Sequence, residues 1–258
     1  MKRPHLHLCI DRVVPPEHKP HAAELARREN RRNAPDLRPL PGVSISPAKI
    51  ALFTGKMWQN GKTLGVAFLD GDKFQRDKVI EKASEWMKYA NIKFNFNAGK
   101  NAQIRISFQA DPGSWSAVGT DCLLGQAFPK DEPTMNFGWL TDETDDTEYR
   151  RVVVHEFGHA LGAIHEHQNP KGGIKWNLPA VYAYFSGPPN NWSKDEIDHN
   201  VVQKYSMDQL NATKFDIHSI MLYAFPKELV IGGKGTPENT KLSRGDKSFI
   251  KKMYLKKK

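Results

Sequence analysis

The segment VVVHEFGHALGAIHEHQNP, residues 152–170, places four histidines and two glutamates within one short stretch. His155 and His159 are four positions apart, so on a helix their rings lie on the same face, about one turn apart. The acidic run at 142–148 favours a helix that begins just before the segment, because carboxylates stabilise the positive end of the helix dipole. Two imidazoles arranged in this way can bind one metal ion.

Gly162 extends the pattern, because glycine readily ends a helix in a left-handed conformation. The chain can then turn back and bring His165 to the same ion, whereas a continuing helix would direct it elsewhere. Glu156 follows the first ligand directly and is positioned to contact a water molecule at the ion. The spacing H-E-x-x-H-x-x-G-x-x-H arises by chance in roughly one such chain in ten thousand. We therefore predict one catalytic Zn²⁺ ion with His155, His159 and His165 as ligands and Glu156 as general base.

HEFGHALGAIHE, residues 155–166, resembles the signature of the metzincin zinc peptidases, and Glu166 directly after the third histidine resembles the astacin subgroup. FDIHSIMLY, residues 215–223, is similar to the Met-turn of astacins and the tyrosine that follows it. The resemblance implies that Met221 forms a hydrophobic floor below the zinc. It also implies that Tyr223 is a fifth, switchable zinc ligand whose hydroxyl helps to bind the transition state.

The same resemblance covers about residues 49–254 and implies an α+β fold of the metzincin type. In that fold a mixed, twisted sheet and helices form an N-terminal lobe, the active-site helix follows, and a smaller irregular C-terminal lobe ends in a helix. The segment GSWSAVGTD, residues 113–121, is similar to an astacin segment, and its strand resembles the rim strand of the metzincin cleft. Trp115, Ser116 and Ala117 would then pair with an extended polypeptide substrate by β-augmentation. The alternative for this strand is an ordinary sheet edge.

The chain is predicted to contain an N-terminal arm and one catalytic domain. The arm, residues 1–47, is rich in proline, arginine and histidine, and we expect an extended candidate propeptide with a short helix at 21–32. The catalytic domain, residues 48–258, is expected to divide into an upper lobe at 48–162 and a lower lobe at 163–258. Apolar patterns and helix caps predict strands at 63–69, 92–96, 103–109 and 113–119, and helices at 74–90, 194–205 and 244–254.

Cys9 lies in the arm, well before the globular composition begins. A cysteine thiolate is a good zinc ligand, so Cys9 can keep the enzyme latent by occupying the open coordination position. Asp11 is a rival for that role, because astacin relatives use an aspartate there. The alternative is that Cys9 is a free thiol in a disordered arm. The basic pairs at 27–28 and 31–32 are candidate activation cleavage sites.

The cysteine count and the N-terminus bear on export. Cys9 and Cys122 can form at most one disulfide, whereas animal astacins have two in the catalytic domain. The N-terminus lacks the apolar segment of a signal peptide, and no apolar run approaches the ~20 residues of a membrane span. We expect secretion by another route, or after removal of a leader, rather than a cytoplasmic protein.

Two other functions compete with peptide hydrolysis. The net charge of +9 suggests nucleic-acid binding, but the excess of lysine and arginine lies at the two ends, as in solvated tails, and no recognition motif accompanies it. A catalytically inactive, zinc-stabilised binding protein is the main alternative, although the intact Glu156 argues against it.

We expect a monomer that acts on polypeptides, with a side pocket near the Met-turn that Pro226 lines.

Three further polar residues lie close to the motif or in the later Met-turn segment. Glu166 either anchors a newly freed N-terminal amine, as the resemblance implies, or supports the site by a hydrogen bond. His167 and His218 have no partner at ligand spacing, so we predict that neither binds the metal.

Overall fold

The computed structural model describes residues 9–12, 14–34, 55–99, 101–111, 113–188, 190–204 and 214–256. Within these ranges one mixed sheet contains the strands β1 Ile10–Arg12, β2 Thr63–Phe68, β3 Lys93–Asn95, β4 Ile104–Ser107, β5 Trp115–Ala117 and β6 Met135–Asn136. Their order across the sheet is β1-β5-β6-β4-β2-β3. Neighbouring strands are parallel except β5 and β6, which are antiparallel. The N-terminal arm therefore contributes β1, an edge strand, to the sheet that the later strands form.

The α-helices in the described ranges are α1 Lys19–Glu29, α2 Lys73–Ala83, α3 Asp146–Ala160, α4 Leu178–Phe185, α5 Lys194–Ile197 and α6 Arg244–Met253. Single 3-10 turns cover Pro16–His18, Arg31–Asn33, Trp86–Lys88, Gly119–Leu123, Glu166–Gln168 and Lys227–Leu229, and a π-helical turn covers Asp198–Val202. None of these helices has the length and apolar character that crossing a bilayer requires. The mixed sheet, the central helix α3 and the less regular C-terminal part confirm the expected α+β fold.

In the part of the chain that the structure describes, buried apolar side chains form two clusters. The larger cluster joins the sheet to α3 through side chains such as Leu64, Ile106 and Val153. The smaller cluster belongs mainly to the C-terminal part, where it includes Phe225, and it also takes in Cys9 from the arm. The arm is thus packed into the same interior as the residues that follow the zinc motif.

Two predicted helices end earlier than their patterns indicate. α2 stops at Ala83 instead of continuing to residue 90, because Trp86 turns its indole into the core and donates from Nε1 to the Val154 carbonyl at 2.9 Å. α5 is a single turn that passes into the π-helical turn. The last residue of the predicted helix at 194–205 lies outside the described residues.

The arm is folded against the domain, in contrast to the extended arm that its composition indicates. α1 buries Ala22, Ala23 and Ala26. The side-chain amide of Asn33 donates to the carbonyls of Ala26 and Met57, both at 2.8 Å, and its oxygen accepts from the Met57 N–H at 2.8 Å. Composition cannot reveal these contacts, because their partners lie in another part of the chain.

Both basic pairs that were expected as cleavage sites lie in helical turns. The pair at 27–28 is in α1, and the pair at 31–32 is in the 3-10 turn that follows it. A protease binds extended chain, so cleavage at either pair requires local unwinding first. Residues 35–54, which join the arm to the domain, lie outside the described residues.

Asp146 in the first turn of α3 predicts a pH dependence of stability. Its carboxylate lies 2.6 Å from the Lys78 ammonium and 2.7 Å from that of Lys82, and these contacts lower the pKa of Asp146 from 3.8 to about 2. A carboxyl with a lowered pKa contributes stability that is present above its unfolded pKa and lost as the pH falls towards 2. We expect Asp146→Asn to lower the melting temperature by about 1–4 °C at neutral pH. The difference should shrink below pH 3.8, and a constant difference in thermal unfolding would contradict this assignment.

Candidate metal centre

Helix α3 delivers two predicted ligands to the interior. The side chain of Asp145 caps its N-terminus by accepting from the backbone N–H of Thr147 at 2.8 Å and of Glu148 at 3.0 Å. The carboxylates in this first turn oppose the positive end of the helix dipole, as the acidic run predicts. One helix face then carries His155 and His159 at the buried C-terminal end.

Three imidazole rings converge on one small space. The Nε2 atoms of His155 and His159 are 3.1 Å apart, those of His159 and His165 are 3.0 Å apart, and those of His155 and His165 are 3.2 Å apart. Tetrahedral zinc with nitrogen ligands at about 2.0–2.1 Å has ligand–ligand edges of about 3.3–3.4 Å. The three side chains, none more than 3% exposed, therefore fit a zinc ion with small shifts and form a group that can hold a metal.

The opposite ring nitrogens fix the orientation of two ligands. His155 Nδ1 lies 2.8 Å from the carbonyl of Ile220, and His159 Nδ1 lies 2.9 Å from that of Ala163. Only a protonated Nδ1 can donate to a carbonyl, so the Nε2 lone pairs point into the shared space. Burial, then the neighbouring imidazoles, holds the pKa of His155 well below its usual range. A neutral imidazole is the form that binds a metal.

Gly162 closes the helix and redirects the chain. Its φ is 92°, in the left-handed region that glycine tolerates. The Gly162 N–H donates to the His159 carbonyl at 2.7 Å, and the Ala163 N–H donates to the Gly158 carbonyl at 3.0 Å. The chain reverses after this turn and carries His165 back to the two helical histidines.

Glu156 and Cys9 lie beside the three histidines. A Glu156 oxygen, a His155 nitrogen and the Cys9 sulfur are all within 4.8 Å of one another. Burial, then the charge of Glu156, raises the pKa of the Cys9 thiol well above its usual range. Cys9 and Cys122 are both free and buried, so the alternative of a disordered, exposed Cys9 does not hold. The side chain of Asp11 lies outside the described residues.

The Met-turn brings Met221 and Tyr223 to the same place. The Tyr223 hydroxyl donates to the Cys9 carbonyl at 2.5 Å and contacts Nε2 of His165. Met221 is buried against α3, where a Cβ added to Gly158 would lie 2.5 Å from its sulfur. Gly158 is therefore needed for the helix to rest on Met221. The motif alone does not single out Gly158, because this glycine occupies one of its variable positions.

Asp246 in the first turn of α6 holds the Met-turn in place by hydrogen bonds. Its carboxylate accepts from Ser219 Oγ at 2.7 Å and from the Ile220 N–H at 2.9 Å. It also accepts from the Ser243 N–H at 2.8 Å, within the capping box of α6. Since the Ile220 carbonyl orients His155, Asp246 connects the last helix to a predicted ligand through one residue.

Glu166 is half-buried beside a cavity of about 80 Å³ that Asp216 and Asp246 also line. Its Oε1 accepts from the Asp216 N–H at 2.9 Å and from Asn169 Nδ2 at 3.0 Å. Burial raises the pKa of Glu166 to about 7. These contacts suit the supporting role, while capture of an amine in the cavity stays a prediction.

The other two histidines differ in burial, and His167 stacks on His165 with ring centroids 5.2 Å apart. His167 is buried between Trp176 and Phe225, and its Nε2 lies 2.9 Å from the Asn200 carbonyl. His218 is exposed. Neither residue is a member of the group that can hold a metal in the described residues, and that neither binds the metal stays a prediction.

The arm covers the predicted rim strand. β1 pairs in parallel with β5, which contains Trp115, Ser116 and Ala117, and it sets Ile10 opposite Trp115 and Arg12 opposite Ala117. The outer edge of β5 thus binds an extended backbone of the chain itself. An edge that accepts one extended segment has the hydrogen-bonding groups that another peptide would need.

Comparisons with known proteins find a family and solved structures that this chain resembles. The matrixin family (Peptidase_M10: Matrixin) matches residues 65–174. A solved structure of myroilysin is 44% identical over 79% of this chain and 97% of that chain, with a TM-score of 0.74. A second myroilysin structure is 44% identical over 78% of this chain and 86% of that chain, with a TM-score of 0.61.

A more distant similarity concerns the fold alone. High choriolytic enzyme 1, a hatching enzyme zinc-protease from the medaka fish Oryzias latipes, is 15% identical over 76% of this chain and 92% of that chain, with a TM-score of 0.52. A search of curated proteins gave no significant match.

Proposed function

This chain belongs to the metzincin zinc metallopeptidases, and from that premise we propose that it is a zinc-dependent endopeptidase of the astacin-like subgroup. The observation that carries the proposal is the convergence of three buried imidazole nitrogens beside the equally buried Glu156. Glu166 directly after His165, and Tyr223 at the metal group, favour the astacin-like subgroup over the matrixins. The proposed ligands are His155, His159 and His165.

Glu156 is the proposed general base and acid. When bound, zinc lowers the pKa of the attacking water and polarises the scissile carbonyl. Glu156 takes the proton from that water and passes it to the leaving nitrogen. Its complete burial beside the metal group supports this role, because a desolvated carboxylate accepts a proton more readily than an exposed one.

Tyr223 is the proposed stabiliser of the transition state. Its hydroxyl already donates to a carbonyl oxygen, that of Cys9, within contact of His165. Once the arm leaves, the same hydroxyl would donate to the oxyanion that develops from the scissile carbonyl. Met221, with Gly158 above it, supports the site from below.

The proposed substrate is an extended polypeptide that pairs with β5. The support is the arm, whose β1 occupies that edge. We further propose that residues 48–258 form the catalytic domain, that the protein acts as a monomer, and that Pro226 lines a side pocket after the Met-turn. The arm, residues 1–47, is the proposed propeptide that proteolysis removes.

Cys9 is proposed to hold the full chain latent as an additional metal ligand, since a bound cation favours the thiolate over the thiol. Without this contact the arm should leave the cleft more readily. Cys9→Ala is therefore expected to raise the initial hydrolysis rate of the uncleaved chain by about 10- to 100-fold. The rate would be followed on a fluorogenic peptide before any processing occurs.

Cys122→Ala is the matched control, because Cys122 is the other free buried thiol and lies in the core. It should leave the uncleaved chain latent. Equal activity of the full chain, Cys9→Ala and the proteolytically processed enzyme would contradict latency. Such latency suits a peptidase that leaves the cytoplasm before activation, and we propose that the chain is exported.

Cleavage of casein with and without a zinc chelator tests the proposed function. The endopeptidase should produce fragments that the chelator suppresses and that added zinc restores. A zinc-stabilised binding protein would bind zinc and produce no fragments at any stage of arm removal. That outcome would favour the alternative.

A further inference from the structure

The arm is a peptide already seated at the rim of the cleft, so its contacts show what the cleft can bind. Cys9 lies at the metal group, and three residues later Arg12 ends the strand that pairs with β5. We propose that the indole of Trp115 forms a substrate subsite that selects a cationic side chain within three residues of the scissile bond. This inference rests on the proposed peptidase function.

The contact that carries the inference is between Arg12 and Trp115. The guanidinium carbon of Arg12 lies 4.2 Å from the centroid of the indole ring. This is well within the ~6 Å at which a cation over an aromatic face is attracted by the ring quadrupole, and tryptophan is the strongest such partner. Arginine also stacks its planar group on aromatic rings, which lysine cannot do.

Trp115 retains an unused donor. It is only 2% exposed and belongs to the main core cluster, so one part of its ring is fixed while Arg12 covers another. Its Nε1 has no hydrogen-bond partner among the described residues. When the arm leaves, the aromatic face that Arg12 covers would be uncovered beside the paired backbone. Such a surface can bind a side chain as well as a main chain.

The neighbouring rim residues offer less to a side chain. Ser116 Oγ donates to the Ala117 carbonyl at 2.9 Å, so its hydroxyl proton is already used. Ala117 presents only a methyl group. Trp115 is therefore the rim-strand residue that can distinguish substrates by charge.

The test compares peptides that differ only in charge at one position. Arginine and its neutral isostere citrulline are placed in turn at each of the three positions on either side of a fixed scissile bond. The enzyme is the full chain, processed by limited proteolysis after folding. One position should show about fivefold higher kcat/KM for arginine than for citrulline, mainly through KM.

Variants of Trp115 test whether its aromatic ring, rather than the backbone of the strand, causes the preference for arginine. Trp115→Leu should reduce the arginine-to-citrulline ratio to about one, and Trp115→Phe should keep part of it, because phenylalanine retains a weaker aromatic face. Trp192→Leu, in the lower lobe, should keep the full ratio. Melting temperature and zinc content confirm folding, and the ratio within one variant is insensitive to a general loss of activity.

The same peptide pairs are measured for binding to a processed, zinc-loaded Glu156→Gln variant, which separates this inference from the proposed function. A tighter arginine peptide that loses its advantage on Trp115→Leu supports the subsite even if no peptide is hydrolysed. Equal affinities and equal kcat/KM at every position, or a preference that survives Trp115→Leu, would overturn it.

Discussion

Replacing Glu156 with glutamine is expected to lower kcat by about 10³- to 10⁴-fold, because the amide cannot accept a proton and both proton transfers depend on this group. Glutamine has nearly the same shape, and Glu156 is fully buried, so the fold and the three imidazoles should stay in place. The processed variant should bind zinc with the same stoichiometry as the unmodified enzyme. The measurement is kcat on a peptide substrate beside metal content.

Glu81→Gln is a suitable control, because it makes the same chemical change at an exposed carboxylate on α2 that pairs with Lys82. It should leave kcat unchanged. If Glu156→Gln retained more than a tenth of the activity with full zinc content, another group would have to be the base. Loss of zinc together with activity would instead make Glu156 a determinant of the metal site.

Removal of the Tyr223 hydroxyl is expected to have the second large effect on kcat. Tyr223→Phe should lower kcat by about 10²- to 10³-fold, the typical cost of losing one donor to an oxyanion. KM should change little, because the contact forms mainly in the transition state. The variant also loses the hydroxyl that donates to the Cys9 carbonyl, so its arm should be removed faster by limited proteolysis.

Tyr89→Phe serves as the control for Tyr223, because Tyr89 is a partly buried tyrosine packed at the main core, where Lys247 lies over its ring. It should not affect kcat. An unchanged kcat in Tyr223→Phe would remove the tyrosine from the mechanism. A rise in KM with constant kcat would show that it contributes to substrate binding only.

Local sequence patterns predicted the features that depend on one element. The four-residue spacing of His155 and His159 needs only helix geometry, and the structure brings these rings together. Gly162 needs only its own backbone freedom, and its φ is positive. The main strands were also recognisable, since alternation of apolar residues is a local property, and only their bounds shifted by a few residues.

Features that depend on distant partners were not predictable in the same way. The position of Asn33 is set by Met57, and the need for glycine at 158 is set by Met221, which lies far along the chain. Asp246 carries a clear capping signal, but nothing local shows that the same carboxylate holds the Met-turn. The stacking of Arg12 on the rim strand likewise required the arm to be placed in three dimensions.

Zinc titration of the metal-free, processed enzyme tests the central claim most directly, namely that His155, His159 and His165 hold one catalytic zinc ion. Peptide hydrolysis should rise linearly with added zinc and reach its plateau at one equivalent per chain. His159→Ala should abolish both the tight binding and the activity. Hydrolysis that persists without zinc, or tight binding of one equivalent that survives His159→Ala, would contradict the account.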